Sequence, residues 1–192
     1  NLSPKKVRAV GLAHIPEDRN TRGLNRTMSI EENLVAVEVD KAPYSKGMVM
    51  NSPAIDKHAE EMVKLFDIRP TDYKLPTSSL SGGNAQKVVV AREVSMNKKL
   101  LVAAQPTRGV DIGAIESIQK TLEEAKKNGA GVLLVSTELE EITSLSDRII
   151  VIHEGKITGE LSAGEANENN LGLLMMGGSV EKKLEKEGEA HE

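Results

Sequence analysis

Apolar positions change their spacing several times along the chain, and each change marks an element. After a charged helix end near Lys5, Val10 to Ile15 reads as a short strand closed by Pro16, and Glu17 to Gly23 as a polar loop. A helix is predicted over 29–38, where Ser29 caps and Glu32, three residues on, completes a capping box. Asp40 to Pro53 is irregular, punctuated by Pro43, Gly47 and Pro53. Ile55, Ala59, Met62, Val63 and Phe66 then recur at helical spacing, so 54–66 is an amphipathic helix packed on a core. Pro70 and Pro76 bracket a connector to Leu80-Ser81-Gly82-Gly83-Asn84, from which a helix runs through Val88, Val89, Val90, Ala91 and Val94 towards Met96. Lys99 to Pro106 and Gly131 to Ser136 are continuous apolar runs, the profile of buried parallel strands. Between them lie a loop, 107–113, and a helix, 114–128, ended by Asn128-Gly129. Glu138 to Leu145 is a short helix, and Arg148 to Leu161 a hairpin turning at Glu154-Gly155. Strands alternating with helices predict an α/β fold around a parallel sheet. Beyond Ser162 the chain turns polar and Gly/Asn-rich, and 181–192 is a charged tail, frayed helix or disordered.

Composition narrows the class. A chain of 192 residues, 39% of them hydrophobic, buries one core with room for an attached subdomain. The net charge of −4 and pI of about 5.7, with no Lys/Arg cluster interleaved with aromatics, argue against a nucleic-acid or anionic-membrane partner. Phe66, Tyr44 and Tyr73 are the only aromatics. The absence of cysteine removes disulfide and thiolate chemistry. No apolar run approaches the ~20 residues that span a bilayer, so the chain is expected to be cytosolic, and Asn1 in place of methionine suggests a piece of a longer protein.

The turn at 81–83 carries the first chemical hint. Ser81 is placed to cap the helix that follows, yet Gly82 and Gly83 weaken a helix start, which suggests that something approaches the backbone closely. Free amides at the positive end of a helix dipole favour an anion such as phosphate. An ordinary capped helix accounts for the same residues, so other segments must decide.

They do so jointly. The turn at 80–84, the strand ending in Gln105-Pro106-Thr107-Arg108-Gly109-Val110-Asp111, and Val135-Ser136-Thr137-Glu138 followed by Ser146-Asp147-Arg148 resemble, in order and spacing over residues 10–161, an ABC transporter nucleotide-binding domain. Pro16-Glu17-Asp18-Arg19 and Ala103 to Gly109 look more narrowly like the second, C-terminal half of the fused double ATPases of simple-sugar and nucleoside importers, the nucleoside branch being closer. The resemblance implies a P-loop NTPase-like (RecA-like) core with a small helical subdomain. It implies a core remnant over 1–35, the helical subdomain and signature helix over 36–96, core again over 97–162, and a polar tail over 163–192. No G-x-x-x-x-G-K-[ST] occurs, and Gly155-Lys156 is only a hairpin turn. In the family the phosphate loop precedes the strand at 10–15, so it is expected to have been cut off with the start of the domain.

Several positions depart from the family pattern. Ala104 stands where a magnesium-binding aspartate closes the strand, and Gln105 where the catalytic glutamate follows. Alanine offers a metal no oxygen, and an amide takes no proton from water. Thr137 replaces the switch histidine and Glu17 the usual glutamine of the loop between core and helical subdomain. Together they imply a site impaired for hydrolysis, with no metal ligands of its own. What remains intact is what a partner uses: paired head to tail, Ser81, Gly82, Gly83 and Asn84 would contact ATP held by the first half of the parent protein, Asn84 replacing the commoner glutamine. Asp111 looks like the loop aspartate that crosses the dimer interface, and it also suits an N-cap for a helix from Ile112. Glu17, Arg19, Arg22 and the helix at 54–66 fall in the region that receives a cytoplasmic helix of the transmembrane subunit. ATP and Mg2+ are thus expected at a composite site of the parent, not on this chain alone. The implied partners are the first ATPase half, the permease subunits and, indirectly, a solute-binding protein, at the inner face of the cell membrane. Two other readings fit the same residues: a docking module indifferent to nucleotide, and a soluble ABC-type ATPase, against which stand the acidic balance and the lack of a basic strip or long heptads.

Overall fold

The strand expected at 10–15 forms as β1 (Leu12–Ile15) after a short helix α1 (Pro4–Ala9), in a computed structural model that describes residues 2–96 and 98–180. The chain divides into two compact units, one up to Thr137 and the other from Glu138. In the first, β1, β4 (Leu100–Ala104) and β5 (Gly131–Val135) make a parallel sheet in that order, Leu12 opposite Leu100 and Leu100 opposite Gly131. Ala13, Ile15, Leu101 and Ala103 are buried, so β4 is core as its apolar run implies and β1 is core beside it. The outer strand β5 differs. Among the described residues it has a strand neighbour on one edge only, and Leu133 and Val135 keep 54% and 50% of their surface, so it is not the fully buried strand its composition suggests.

The helical part holds α2 (Ile30–Val35), a small hairpin of β2 (Ser45–Lys46) and β3 (Val49–Met50), α3 (Ser52–Leu65) and α4 (Gly82–Val94). The capping box at Ser29 and Glu32 is present, both bonds made, but α2 ends at Val35 and not at residue 38. The hairpin lies in the stretch expected to be irregular, and α3 begins at Ser52 with Pro53 in its first turn, where a missing N–H costs nothing. Lys74 ties α2 to α3 by pairing with Glu31 and Asp56. α4 is buried on nearly every side, Val88 to Ala91 among its core residues, as its unbroken apolar run requires. Near its end Glu93, fully buried, accepts from Arg8 Nη1 at 2.7 Å, Arg92 Nε at 2.9 Å and the His14 amide at 3.1 Å, and Arg92 Nη1 donates to the Gly23 carbonyl at 2.8 Å. A buried carboxylate is tolerable when its lone pairs are taken up in this way, and the cluster locks α4 to β1 and to residue 23. α5 (Ile112–Lys127) follows β4 and buries Ala114, Ile118 and Leu122.

The second unit contains α6 (Leu139–Leu145), the antiparallel hairpin β6 (Arg148–His153) and β7 (Lys156–Ser162), and α7 (Glu168–Met175). The hairpin turns at Glu154 and Gly155, both with positive φ. Its core is Ile149, Val151 and Leu161 with Leu171 and Leu174 of α7, which are almost wholly buried. Within the stretch expected as a polar tail from residue 163, Asn167 caps a helix in which Leu171 and Leu174, three residues apart, share one buried face. The charged stretch 181–192 lies outside the described residues.

Candidate functional site

α4 starts as its sequence implies. Ser81 is extended at the N-cap, and its Oγ accepts from the Asn84 amide at 3.4 Å and from Asn84 Nδ2 at 3.0 Å. With both bonds accepted, the exposed Ser81 hydroxyl keeps its proton to donate, and the first-turn amides of Gly82 and Gly83 have no intrahelical acceptor. Asn84 is less free than expected: its Nδ2 serves Ser81 while its Oδ1 accepts from the Arg69 amide at 2.7 Å, so it orders the turn from within.

The two glycines are crowded by this chain itself. A Cβ at Gly82 would stand 2.8 Å from Arg19 Nη2 and 3.2 Å from the Gly109 carbonyl oxygen. At Gly83 it would stand 2.5 Å from Asp111 Oδ2 and 3.0 Å from the Ala114 Cβ. Asp111 Oδ1 accepts from the Ala114 amide at 2.9 Å, so Asp111 caps α5 while lying against the signature turn. Close backbone approach, expected of a phosphate, is here made by a guanidinium and a carboxylate.

At the C-terminal end of the sheet, Ala104 closes β4, and Gln105 takes a left-handed conformation, φ 48°, with its amide donating to the Val135 carbonyl at 2.7 Å. Gln105 Nε2 donates to the hydroxyl of the exposed Thr137 at 3.3 Å, so the two residues expected at catalytic and switch positions meet in space. Glu17 is exposed and accepts from Arg108 Nη1 at 2.5 Å. Glu17, Ala104 and Arg108, with residues 18–22, line an open concavity of about 720 Å³. Its donor set does not suit a resident divalent cation, because the Ala104 side chain has no ligand atom, Glu17 is paired with Arg108 and the Asp18 carboxylate is taken up by Asn20 and Thr21. Among the described residues no cluster of three His, Cys, Asp or Glu is placed to hold a metal.

Residues 19–23, expected as loop, form one π-helical turn whose N-cap is Asp18. The Asp18 carboxylate accepts from the Thr21 hydroxyl at 2.7 Å and from the amides of Asn20 and Thr21, and these bonds hold its pKa below the ordinary aspartate value. Arg22 is exposed. Arg19 reaches 89 and 90 residues along the chain: its Nη1 donates to the Arg108 carbonyl at 2.8 Å and its Nη2 to the Gly109 carbonyl at 3.1 Å. Sequence reasoning placed Arg19 at a membrane-subunit contact and missed this clamp. No local pattern encodes a contact between segments so far apart, and the adjacency of Gly82 to a Gly109 of positive φ is visible only in three dimensions.

The family model described as ABC transporter matches residues 4–108. The chain is similar to the nucleoside import ATP-binding protein NupA of Lactococcus lactis subsp. cremoris, 43% identical over 180 residues, 94% of this chain and 36% of the relative. It is similar to the guanosine import ATP-binding protein NupO of Bacillus subtilis, 45% identical over 177 residues, 92% of this chain and 35% of the relative. To the ribose import ATP-binding protein RbsA of Bacillus cereus it is 38% identical over 167 residues, 87% of this chain and 33% of the relative. The chain thus spans about a third of the length of these relatives. Among solved structures, a dimeric ATP-binding cassette in a post-hydrolysis state bound to ADP and Pi superposes with a TM-score of 0.70 at 22% identity, over 85% of this chain and 68% of that one, which establishes the P-loop NTPase fold.

Proposed function

Because this chain belongs to the ABC transporter family, whose ATPase domains bind ATP, typically with Mg2+, we propose that it is the second ATPase half of an importer for nucleosides or simple sugars, and that it serves chiefly to complete the ATP site of the first half. The observation that carries this reading is a contrast within one molecule. The signature turn is ordered, with a hydroxyl proton to donate on the exposed Ser81 and first-turn amides on Gly82 and Gly83, whereas the positions that resemble the catalytic ones hold Ala104, Gln105 and Thr137. ATP, with its Mg2+, supplies the γ-phosphate that these donors are placed to meet. Ser81 donates to it, the glycine amides present the positive end of α4, and Asn84 keeps both in place. Asp111, at the foot of α5 beside Gly83, is the residue that meets the other half. Glu17, Arg19 and Arg22 belong to the segment that faces a transmembrane permease subunit, Arg19 from its inner side. The parent protein works at the cytoplasmic face of the membrane, with a solute-binding protein beyond it. The kinds of solute named for the similar import proteins support the nucleoside or sugar class.

Turnover by this chain alone tests the reading. With no base at 105 and no metal ligand at 104, the purified chain is expected to release negligible phosphate from ATP and Mg2+. Magnesium-dependent hydrolysis that disappears on Ser81→Arg would show instead that the turn serves a site of its own.

A further inference from the structure

Three segments far apart in sequence meet at one side chain. Arg19 springs from the π-turn at 19–23, its guanidinium lies against Gly82 at the start of α4, and it donates to two successive carbonyls, Arg108 and Gly109, in the loop ahead of Asp111. We propose that Arg19 is a positioning residue that holds the signature turn and the 108–111 loop in fixed relation, so that a shift of the 17–23 segment moves both together.

Side-chain chemistry favours this role. A planar guanidinium presents two parallel donors to neighbouring acceptors, which the single flexible ammonium of lysine cannot copy. Charge-assisted bonds of this kind resist displacement better than neutral ones. The fork also explains Gly82: any Cβ there would strike Nη2, and Nη2 cannot retreat without losing the Gly109 carbonyl. Arg19 Nε is buried without a hydrogen-bond partner, a cost that a residue selected only for stability would avoid.

The base and the far end of the lever are both fastened. Asp18 caps the π-turn, the Gly23 carbonyl accepts from Arg92 of α4, and a Cβ at Gly23 would press on Val89 at 3.1 Å. Residue 108 is held twice, its carbonyl by Arg19 and its side chain by Glu17. Asp111 then bears on Gly83 and caps α5, so the loop contacts the second glycine as well as the first. The mechanical consequence for ATP rests on the function proposed above, whereas the coupling itself is a property of this chain.

Backbone amide hydrogen exchange on the chain without nucleotide separates the two. In Arg19→Gln, exchange at Asn84 and Ala85 and at Arg108 and Ala114, whose amides are hydrogen-bonded, is expected to rise together by about tenfold, as loss of charge-assisted bonds allows, while β6 and β7 are unchanged. Arg19→Lys, which keeps the charge and guards against a variant that fails to fold, is expected to restore less than half of the protection. Gly82→Ala should raise exchange at Arg108 and Ala114 when Arg19 is present and have a smaller effect when it is combined with Arg19→Ala, because the nearer obstacle to the methyl group, Nη2, is gone and only the Gly109 carbonyl remains. Exchange changes confined to 18–23, full rescue by lysine, or additive effects of the Gly82 and Arg19 substitutions would each overturn the proposal. Loss of the nucleotide reading through Ser81→Arg leaves these exchange results standing, so the two ideas fail separately.

Discussion

Gly82 and Gly83 are neighbours in sequence but answer to different groups. The first is kept bare by an arginine held between two carbonyls, the second by an aspartate fixed as the cap of α5. Gly83→Ala should therefore cost about 1–3 kcal/mol of stability, the usual range for overpacking against atoms that cannot withdraw, read from the midpoint of urea unfolding. Asp111→Ala should itself be destabilising through loss of a cap, yet it should recover most of the cost of Gly83→Ala in the double variant. Sequence alone showed that the glycines needed an explanation, because they sit where a helix would rather have alanine. It pointed to phosphate because helix starts favour anions, and it did not reveal the intramolecular neighbours, since residues 19, 83 and 111 share no local pattern. Ala104, Gln105 and Thr137 differ in kind: the meaning proposed for them lies in what each side chain lacks, which is read without coordinates.

Elements were most legible where a side chain closes the backbone's own accounts. Ser29, Ser81 and Asp111 each cap a helix as their positions suggested, because capping is a contact within four residues. The β2–β3 hairpin, the π-turn and α7 escaped because each is short and depends on tertiary support; α7 holds two buried leucines within a segment whose average composition is polar. One titratable group belongs to this scale. His58 on α3 is half-buried with its ring 5.2 Å from that of Tyr44, and burial pushes its pKa below the ordinary histidine value against the pull of Glu61 and Glu38. The unfolded chain therefore binds the proton more readily. Stability is fully present above pH 6.5 and declines as pH falls through the lowered folded pKa. Between pH 7.5 and pH 5.5, wild type should lose more thermal stability than His58→Gln, and scanning calorimetry of the two at both pH values checks it.

At the scale of the whole chain, the parallel sheet stops at a strand with one neighbour. Leu133 and Val135 stay half exposed on β5, and the 45–50 hairpin exposes Met48, Val49 and Met50. An unpaired edge with apolar side chains is a template for association, so the isolated chain should show concentration-dependent self-association. Leu133→Lys should lower the weight-average mass in sedimentation at a given concentration, whereas Lys6→Ala, far from the edge in sequence, should not. No helix among the described residues is long and apolar enough to cross a membrane. The proposed role is one this chain would lend to a partner, its signature turn meeting a phosphate bound elsewhere. Solute uptake by the intact importer carrying Ser81→Arg tests it most directly, since the larger cationic side chain fills the place of the γ-phosphate while α4 keeps the rest of its packing. The account predicts uptake reduced to background with the subunits still assembled. Uptake at the wild-type rate would contradict it.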